Sequence, residues 1–428
     1  MISRTECQRL DAEDTLAPLR ELFDVPAHVI YLDGNSLGAL PRATVKRVQK
    51  VVSVEWGTEL IRAWNSAGWI DLPQRVGNKI ARLVGAGDGE LIVADSTSVN
   101  LYKVLCAALD LNAGLNPGRR TILSERHNFP TDLYIAEGLA RERGLELRLV
   151  EADEIVAQLR GDVAVLLLSH VNYRNGRMHP MREINSAAHA AGVLTVWDLA
   201  HSAGAVPVNL KVEGKAADAA DFAVGCGYKY LNGGPGAPAF VWAHPAQMAR
   251  MNEGQVMHPL SGWLGHAAPF EFATDYRPAA GIERFLCGTP PLLSLAALEC
   301  GVDTLLAAEE LGGVAALRRK SLALTELLMM LVDTRCGDGG LQLRTPRESN
   351  LRGSQVSFAR AEGGYSVMQA LIARGVIGDF RAPDVLRFGV APIYTRYVDI
   401  WDAVEHLRGV LHTREWQEPR FSQRATVT

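Results

Sequence analysis

The sequence has 428 residues, 48% apolar and 21% charged, with 44 Lys and Arg against 48 Asp and Glu for a formal net charge of -4. That balance excludes a disordered chain, and 40 glycines without a three-residue period exclude collagen. A slightly acidic chain with no basic stripe does not suit nucleic acid, and its longest apolar run, 163–168, is far short of the roughly 18 residues of a membrane helix.

At roughly 150 residues per domain, two or three domains are expected. A strand-like run at 29–32 leads into a glycine-rich turn at 34–38 and a helix-like stretch at 43–56. Candidate strands follow at 91–94, 121–123, 145–150, 163–168, 193–197, 222–224 and 239–242. Several are continuous apolar runs, as in strands buried on both faces. Helical patterns lie between them; in 182–191, Ile184, Ala187, Ala188 and Ala191 share one face. Strand–helix alternation over some 200 residues predicts an α/β domain with a mainly parallel sheet. From 305 the texture changes to a long Leu- and Ala-rich helical region, broken near Gly312 and Gly313. A strand (355–358), a helix (367–374), a strand (385–390) and a closing amphipathic helix carrying Ile400, Val404, Leu407 and Leu411 complete a smaller α+β domain. The expected division is an N-terminal segment packed with the small domain (1–55), a large domain (56–300) and a small C-terminal domain (301–428), with a frayed tail from 413.

Six cysteines lie far apart without a C-x-x-C pair, which predicts reduced thiols in a cytoplasmic protein. The charged first 20 residues carry no signal peptide pattern, and the histidines have no metal-ligand spacing.

The turn at 34–38 (GNSLG) matches the G-x-S-x-G nucleophile elbow, but only 33 residues precede it, too few for the strands and oxyanion loop of that fold. A turn offering a hydroxyl and backbone N–H groups to a ligand is the better reading. Asp198 closes a buried strand, where open α/β sheets bind ligands, although a helix N-cap would also account for it. Lys229 follows 31 residues later, between Tyr228 and Tyr230 and before a glycine-rich loop. It is one of eight lysines among 44 basic residues, and imine chemistry needs an amine able to lose its proton, as guanidinium does not. A carboxylate beside a pyridine nitrogen is the other half of a pyridoxal phosphate site. Ser96, Thr97 and Ser98 open a helix after a strand, a phosphate-binding arrangement or a plain cap. Phe129 could stack on a flat cofactor or simply pack. Arg387, inside an apolar strand, suits carboxylate capture or a solvent-facing position.

Taken together, LDGNSLG (32–38), FPTD (129–132), WDLAH (197–201), YKYLN (228–232), Gly262-Trp263, GTPP (288–291) and the segment 387–392 resemble kynureninase over nearly the whole chain. The resemblance implies a homodimeric fold-type I pyridoxal 5'-phosphate enzyme that hydrolyses L-kynurenine to anthranilate and L-alanine in tryptophan catabolism, within NAD biosynthesis, with no nucleic acid or membrane partner. It implies that Lys229 bonds the cofactor as an imine and also moves the substrate α-proton, that Asp198 pairs with the pyridinium, and that Phe129 stacks on the ring, with Asp132 and His201 around it. Thr97, Ser98 and Tyr228 would serve the phosphate, Tyr228 also being a candidate acid. Trp263 and Thr289 would reach the phosphate from the neighbouring subunit. Arg387 would hold the substrate α-carboxylate, and Ser36 and Trp64 would contact the substrate. The Trp64 and Thr289 pair resembles bacterial members that prefer kynurenine, since an indole has no partner for the ring hydroxyl of 3-hydroxykynurenine. Cysteine desulfurase, for which Cys336 is the only late cysteine, and a serine-type carbon–carbon hydrolase are the rival enzymes.

Overall fold

A computed structural model describes residues 2–212 and 214–424. Its centre is a seven-stranded sheet made of β1 (Leu91–Ala94), β2 (Thr121–Glu125), β3 (Glu146–Val150), β4 (Val163–Ser169), β5 (Leu194–Asp198), β6 (Phe222–Gly225) and β7 (Ala239–Ala243), in the order β1-β7-β6-β5-β4-β2-β3. The strands β3, β2, β4, β5 and β6 pair in parallel, while β7 runs antiparallel to β6 and β1. All but the edge strand β3 are buried along their whole length, which is why several of them read as continuous apolar runs. Helix Thr97–Leu115 packs across β4–β7 on one face; helices Leu72–Val84 and Leu292–Leu306 pack together on the other side of the core. Helix Leu72–Val84 lies so close to β1 that a Cβ on Gly77 would come within 2.3 Å of the Leu91 carbonyl oxygen.

The C-terminal sheet is antiparallel, in the order Asp379–Arg381, Val385–Gly389, Gln355–Ala359, Gln342–Leu343. Helices Gly313–Arg335 and Gly364–Ala373 pack against it, and Tyr397–Thr413 packs against both helices. Helix Arg4–Glu13 docks on Tyr397–Thr413 through Arg4 and Asp402 (2.7 Å), and the short strand Ile30–Tyr31 pairs in parallel with Val376–Ile377. Between these, Leu16, Leu19 and Phe23 enter the core of the large sheet.

Three local readings differ from the structure. The helix expected over 43–56 ends at Lys50 and widens into a π-helix, Val51–Glu59. The β-branched Val51, Val52 and Val54 weaken the α-helix there. Buried Glu55 is held inward by Arg47 (2.6 Å) and by the Trp69 indole (2.9 Å). The helical region expected from 305 begins earlier, at Leu292; its break falls where expected, helices Leu292–Leu306 and Gly313–Arg335 being divided at Gly312 in the left-handed region (φ 98°). The tail is not frayed as far as residue 424: Trp416 and Phe421 are buried, and Arg360 stacks 4.3 Å from the Trp416 ring. The expected fraying of 425–428 lies outside the described residues.

Candidate active site

The parallel strands β2, β4, β5 and β6 all end at the same edge, and the segments that follow them enclose a cavity of about 120 Å³. Thr97, Ser98, Phe129, Asp132, Asp198, His201, Tyr228 and Lys229 all line it, together with Ser96, Thr131, Ser169, Tyr173 and Ala200. The carboxyl edge of an open α/β sheet is where such folds bind ligands.

Asp198 is the last residue of β5, opposite Ser169 at the end of β4. Its Oδ1 accepts from the Ala200 N–H (2.8 Å) and its Oδ2 lies 3.4 Å from Ser169 Oγ. Asp132, in the first turn of helix Pro130–Arg143, is also buried, 3.5 Å from Ser169 Oγ. Burial pushes both carboxyls above the ordinary carboxylate range, and the charge of Asp198 pushes Asp132 further. Neither makes an ion pair among the described residues. Two desolvated carboxyls at one point are costly unless a cationic or N–H donor completes them.

Lys229 follows β6 and is buried, its Nζ 3.0 Å from His201 Nε2. Burial, then the charges of Lys229, Arg387 and Arg381, hold His201 well below the usual histidine range. The neutral ring accepts at Nε2, and its buried Nδ1 has no partner among the described residues. Lys229 Nζ stands 5.7 Å from the ring centroids of both Phe129 and Tyr228. Burial pushes the Tyr228 phenol up, so at neutral pH it carries its proton. The loop that carries Lys229 is braced by the glycine-rich turn: Gly38 N–H donates to the Tyr228 carbonyl (2.8 Å). A Cβ on Gly38 would come within 2.5 Å of the Lys229 carbonyl oxygen, so the approach requires glycine.

Ser96 caps helix Thr97–Leu115, its Oγ accepting from the Val99 N–H (3.3 Å). Thr97 and Ser98 line the cavity at the N-terminus of this helix, a combination of hydroxyls and unpaired N–H groups that could hold a phosphate. Phosphate donors, an aromatic ring, a buried lysine and a buried carboxylate lacking a counter-ion fit pyridoxal phosphate, whose ring nitrogen would complete Asp198.

Ser36 and Arg387 form an adjoining cluster. Arg387, buried, donates through Nε to Asp379 Oδ1 (2.6 Å) and through Nη2 to Asp379 Oδ2 and to Ser36 Oγ (3.1 Å); its Nη1 donates to the Tyr173 carbonyl. Ser36 Oγ donates to Asp379 (2.7 Å) and has no histidine among its partners, so it is no hydrolase nucleophile. Trp64, Trp263 and Thr289 do not line the cavity. Trp64 packs edge-on against Trp69 (6.2 Å) in a separate cluster, Trp263 against Phe270 (5.8 Å), and Thr289 is exposed. Cys336 is buried at the end of helix Gly313–Arg335, and burial pushes its thiol up to about 11, the opposite of a reactive thiolate.

Four residues of the site went unread in the sequence. Asn128 accepts from Ser169 Oγ (2.6 Å) and from the Phe129 N–H (2.7 Å), locking the loop that presents Phe129. Ser169 was detectable as a polar residue ending a buried apolar strand. Tyr173, edge-on to Phe129 (5.3 Å), and Asp379 carry no comparable signal.

Residues 317–407 match the kynureninase C-terminal domain family. A kynureninase from Pseudomonas fluorescens is 53% identical over 431 residues, covering 100% of both chains, and one from Burkholderia pseudomallei (strain 1106a) has the same identity and coverage. Among solved structures, an apo cysteine desulfurase from Thermococcus onnurineus NA1 superposes with a TM-score of 0.75 at 19% identity, covering 92% of this chain and 98% of that one. A cysteine desulfurase from Escherichia coli gives 0.74 at 19% identity, covering 93% and 99%. The desulfurases share the fold, fold-type I of the pyridoxal phosphate enzymes; with more than half of its residues identical to the curated relatives from end to end, the chain belongs to the kynureninase family.

Proposed function

We propose that the cavity at the carboxyl edge of the sheet is where L-kynurenine is hydrolysed to anthranilate and L-alanine, with the following division of labour. The observation that carries it is the buried Lys229 amine in the same cavity as the buried Asp198, which makes no ion pair among the described residues. Bound pyridoxal phosphate supplies an electrophilic aldehyde carbon and a ring that accepts an electron pair from the substrate α-carbon. Asp198, steadied by Ala200 N–H and Ser169, would hold the ring nitrogen protonated. Asp132, His201 and Phe129, the last kept in place by Asn128, would hold the ring, and Thr97 and Ser98 the phosphate. Lys229 would hold the cofactor through its amine and would move the substrate α-proton. Neutral His201 receives the Lys229 N–H without competing as a cation. Tyr228, protonated and beside Lys229, would give a proton to the β-carbon of the alanine unit once anthranilate has separated from it, and would bond the phosphate. Arg387 and Ser36 receive the α-carboxylate.

A second copy of the chain would complete the site by bringing Trp263 and Thr289 to the phosphate and Trp64 to the aromatic end of the substrate. The exposed Trp56, Ile61, Phe270 and Phe272, on the segments that carry these residues, support such a homodimer. With Trp64 in that position, kynurenine is preferred over 3-hydroxykynurenine. The six unpaired cysteines favour a cytoplasmic protein, within tryptophan catabolism and NAD biosynthesis. The working division of the chain stays at 1–55, 56–300 and 301–428.

The test is anthranilate fluorescence on adding L-kynurenine to purified protein with pyridoxal phosphate. Anthranilate is expected, with 3-hydroxykynurenine turned over at least about tenfold less efficiently. A protein that releases no anthranilate contradicts the reading.

A further inference from the structure

The guanidinium assigned to the α-carboxylate is not alone. Asp379 sits on the edge strand Asp379–Arg381, directly across from Arg387 in the antiparallel register, and is buried. It takes the Nε and Nη2 edge of Arg387 as a side-on pair, which leaves the outer N–H bonds of the fork uncommitted to any carboxylate. The same Oδ2 also pairs with Arg381 Nη2 (2.8 Å). Burial opposes ionisation of Asp379, but the hydrogen bonds and charge of Arg387 outweigh it and hold the carboxyl below its ordinary range. Asp379 is therefore one fixed anion shared by two fixed cations.

The two guanidinium groups converge on one further atom. Ser36 Oγ lies 3.1 Å from Arg387 Nη2 and 3.4 Å from Arg381 Nη2. Arg387 is sealed in, whereas the Arg381 side chain is 38% exposed and so faces what enters from solvent. Arg387 abuts the cavity wall, its Nη1 donating to the carbonyl of Tyr173, which lines the cavity. The remaining carboxylate of the cluster, Asp33, is pushed up to about 7 by burial and by Asp379, so it carries only part of a charge at neutral pH. Two arginines, one full anion and one partial anion leave a surplus of positive charge at Ser36.

We propose that Arg381 is a second carboxylate-binding residue, that the α-carboxylate of the substrate docks at Ser36 between Arg381 and Arg387, and that Asp379 is the positioning residue that holds the two guanidinium groups apart at that spacing. This rests on the assignment of Arg387 to the α-carboxylate. It predicts that Arg381 contributes to recognising the carboxylate and not to the chemistry. Its loss should weaken ground-state and transition-state binding together, raising KM with kcat little changed.

The experiment uses the holoenzyme and the variants Arg381→Met, Arg381→Lys and Arg387→Met. It reads steady-state turnover of L-kynurenine, and binding of L-alanine and of L-alaninamide from the change in visible absorbance of the cofactor. Arg381→Met is expected to raise KM about tenfold with kcat within about threefold, to weaken L-alanine about tenfold and to leave L-alaninamide within about twofold. Arg381→Lys keeps the charge and should stay within about threefold of the wild type throughout. The Arg387→Asp379 pair survives in both variants, and retention of the cofactor band reports that the site is folded. Arg381→Met with KM and L-alanine binding within twofold of the wild type overturns the inference, as does an equal loss for L-alanine and L-alaninamide. Arg387→Met separates the two claims. If it leaves KM and L-alanine binding unchanged, the assignment of Arg387 itself fails; if it weakens both while Arg381→Met does not, only the role of Arg381 fails.

Discussion

Lys229→Ala should lower turnover of L-kynurenine by roughly 10⁴-fold, because one amine is used both to bond the cofactor and to carry the α-proton. The variant should still take up pyridoxal phosphate: the hydroxyls of Thr97 and Ser98, the helix N-terminus, Phe129 and Asp198 are untouched by the change. It should no longer be fixed covalently, so dialysis against an amine-free buffer removes cofactor that the wild type retains. Lys229→Arg should be as inactive as alanine, since a guanidinium does not give up its proton. Anthranilate fluorescence over a long time course measures the residual rate. A Lys229→Ala rate within tenfold of the wild type would show that the proton is moved elsewhere, and His201, 3.0 Å from Nζ, would be the first suspect.

Asp198→Asn should cost about 10³-fold in kcat. The substitution conserves shape: an amide can still accept from the Ala200 N–H and lie beside Ser169. What it removes is a negative charge in a buried site, where the charge is least screened. Without it the ring nitrogen loses its proton and the electron demand at the α-carbon falls. Asp132 stands 3.5 Å from the same Ser169 hydroxyl, but it is raised further out of its ordinary range than a simple buried carboxyl because Asp198 is charged. Removing that charge relieves Asp132, so Asp198→Asn should retain some activity that Asp198→Asn with Asp132→Asn loses. An Asp198→Asn enzyme within tenfold of the wild type in kcat would contradict the assigned role.

The large sheet was legible because its strands are buried on both faces, so that β1 and β4 to β7 stand out as unbroken apolar runs. The 31-residue interval between Asp198 and Lys229 was legible for the same reason. The strands β5 and β6 are parallel neighbours, so whatever follows each of them arrives at one edge. The glycine-rich turn at 34–38 was legible as a turn but gave no hint of its partner, since Gly38 meets the Lys229 loop from across the chain. Asp379 was invisible because its importance lies in the antiparallel register that sets it opposite Arg387; in sequence it is one acidic residue among 48. The π-helix at Val51–Glu59 depends on where Glu55 finds Arg47 and Trp69, which no periodicity reports. Trp64, Trp263 and Thr289 came from resemblance alone, and in a single chain they lie away from the cavity that the other residues share.

Lys229 is assigned as the amine that carries the cofactor. Reduction of the wild-type holoenzyme with borohydride, followed by proteolysis and peptide mass spectrometry, tests it directly. The expected result is a single phosphopyridoxyl-modified peptide, with the added mass on Lys229 and none on the other seven lysines. Modification of another lysine with Lys229 unmodified, or a protein that binds the cofactor and gains no mass on reduction, would contradict it.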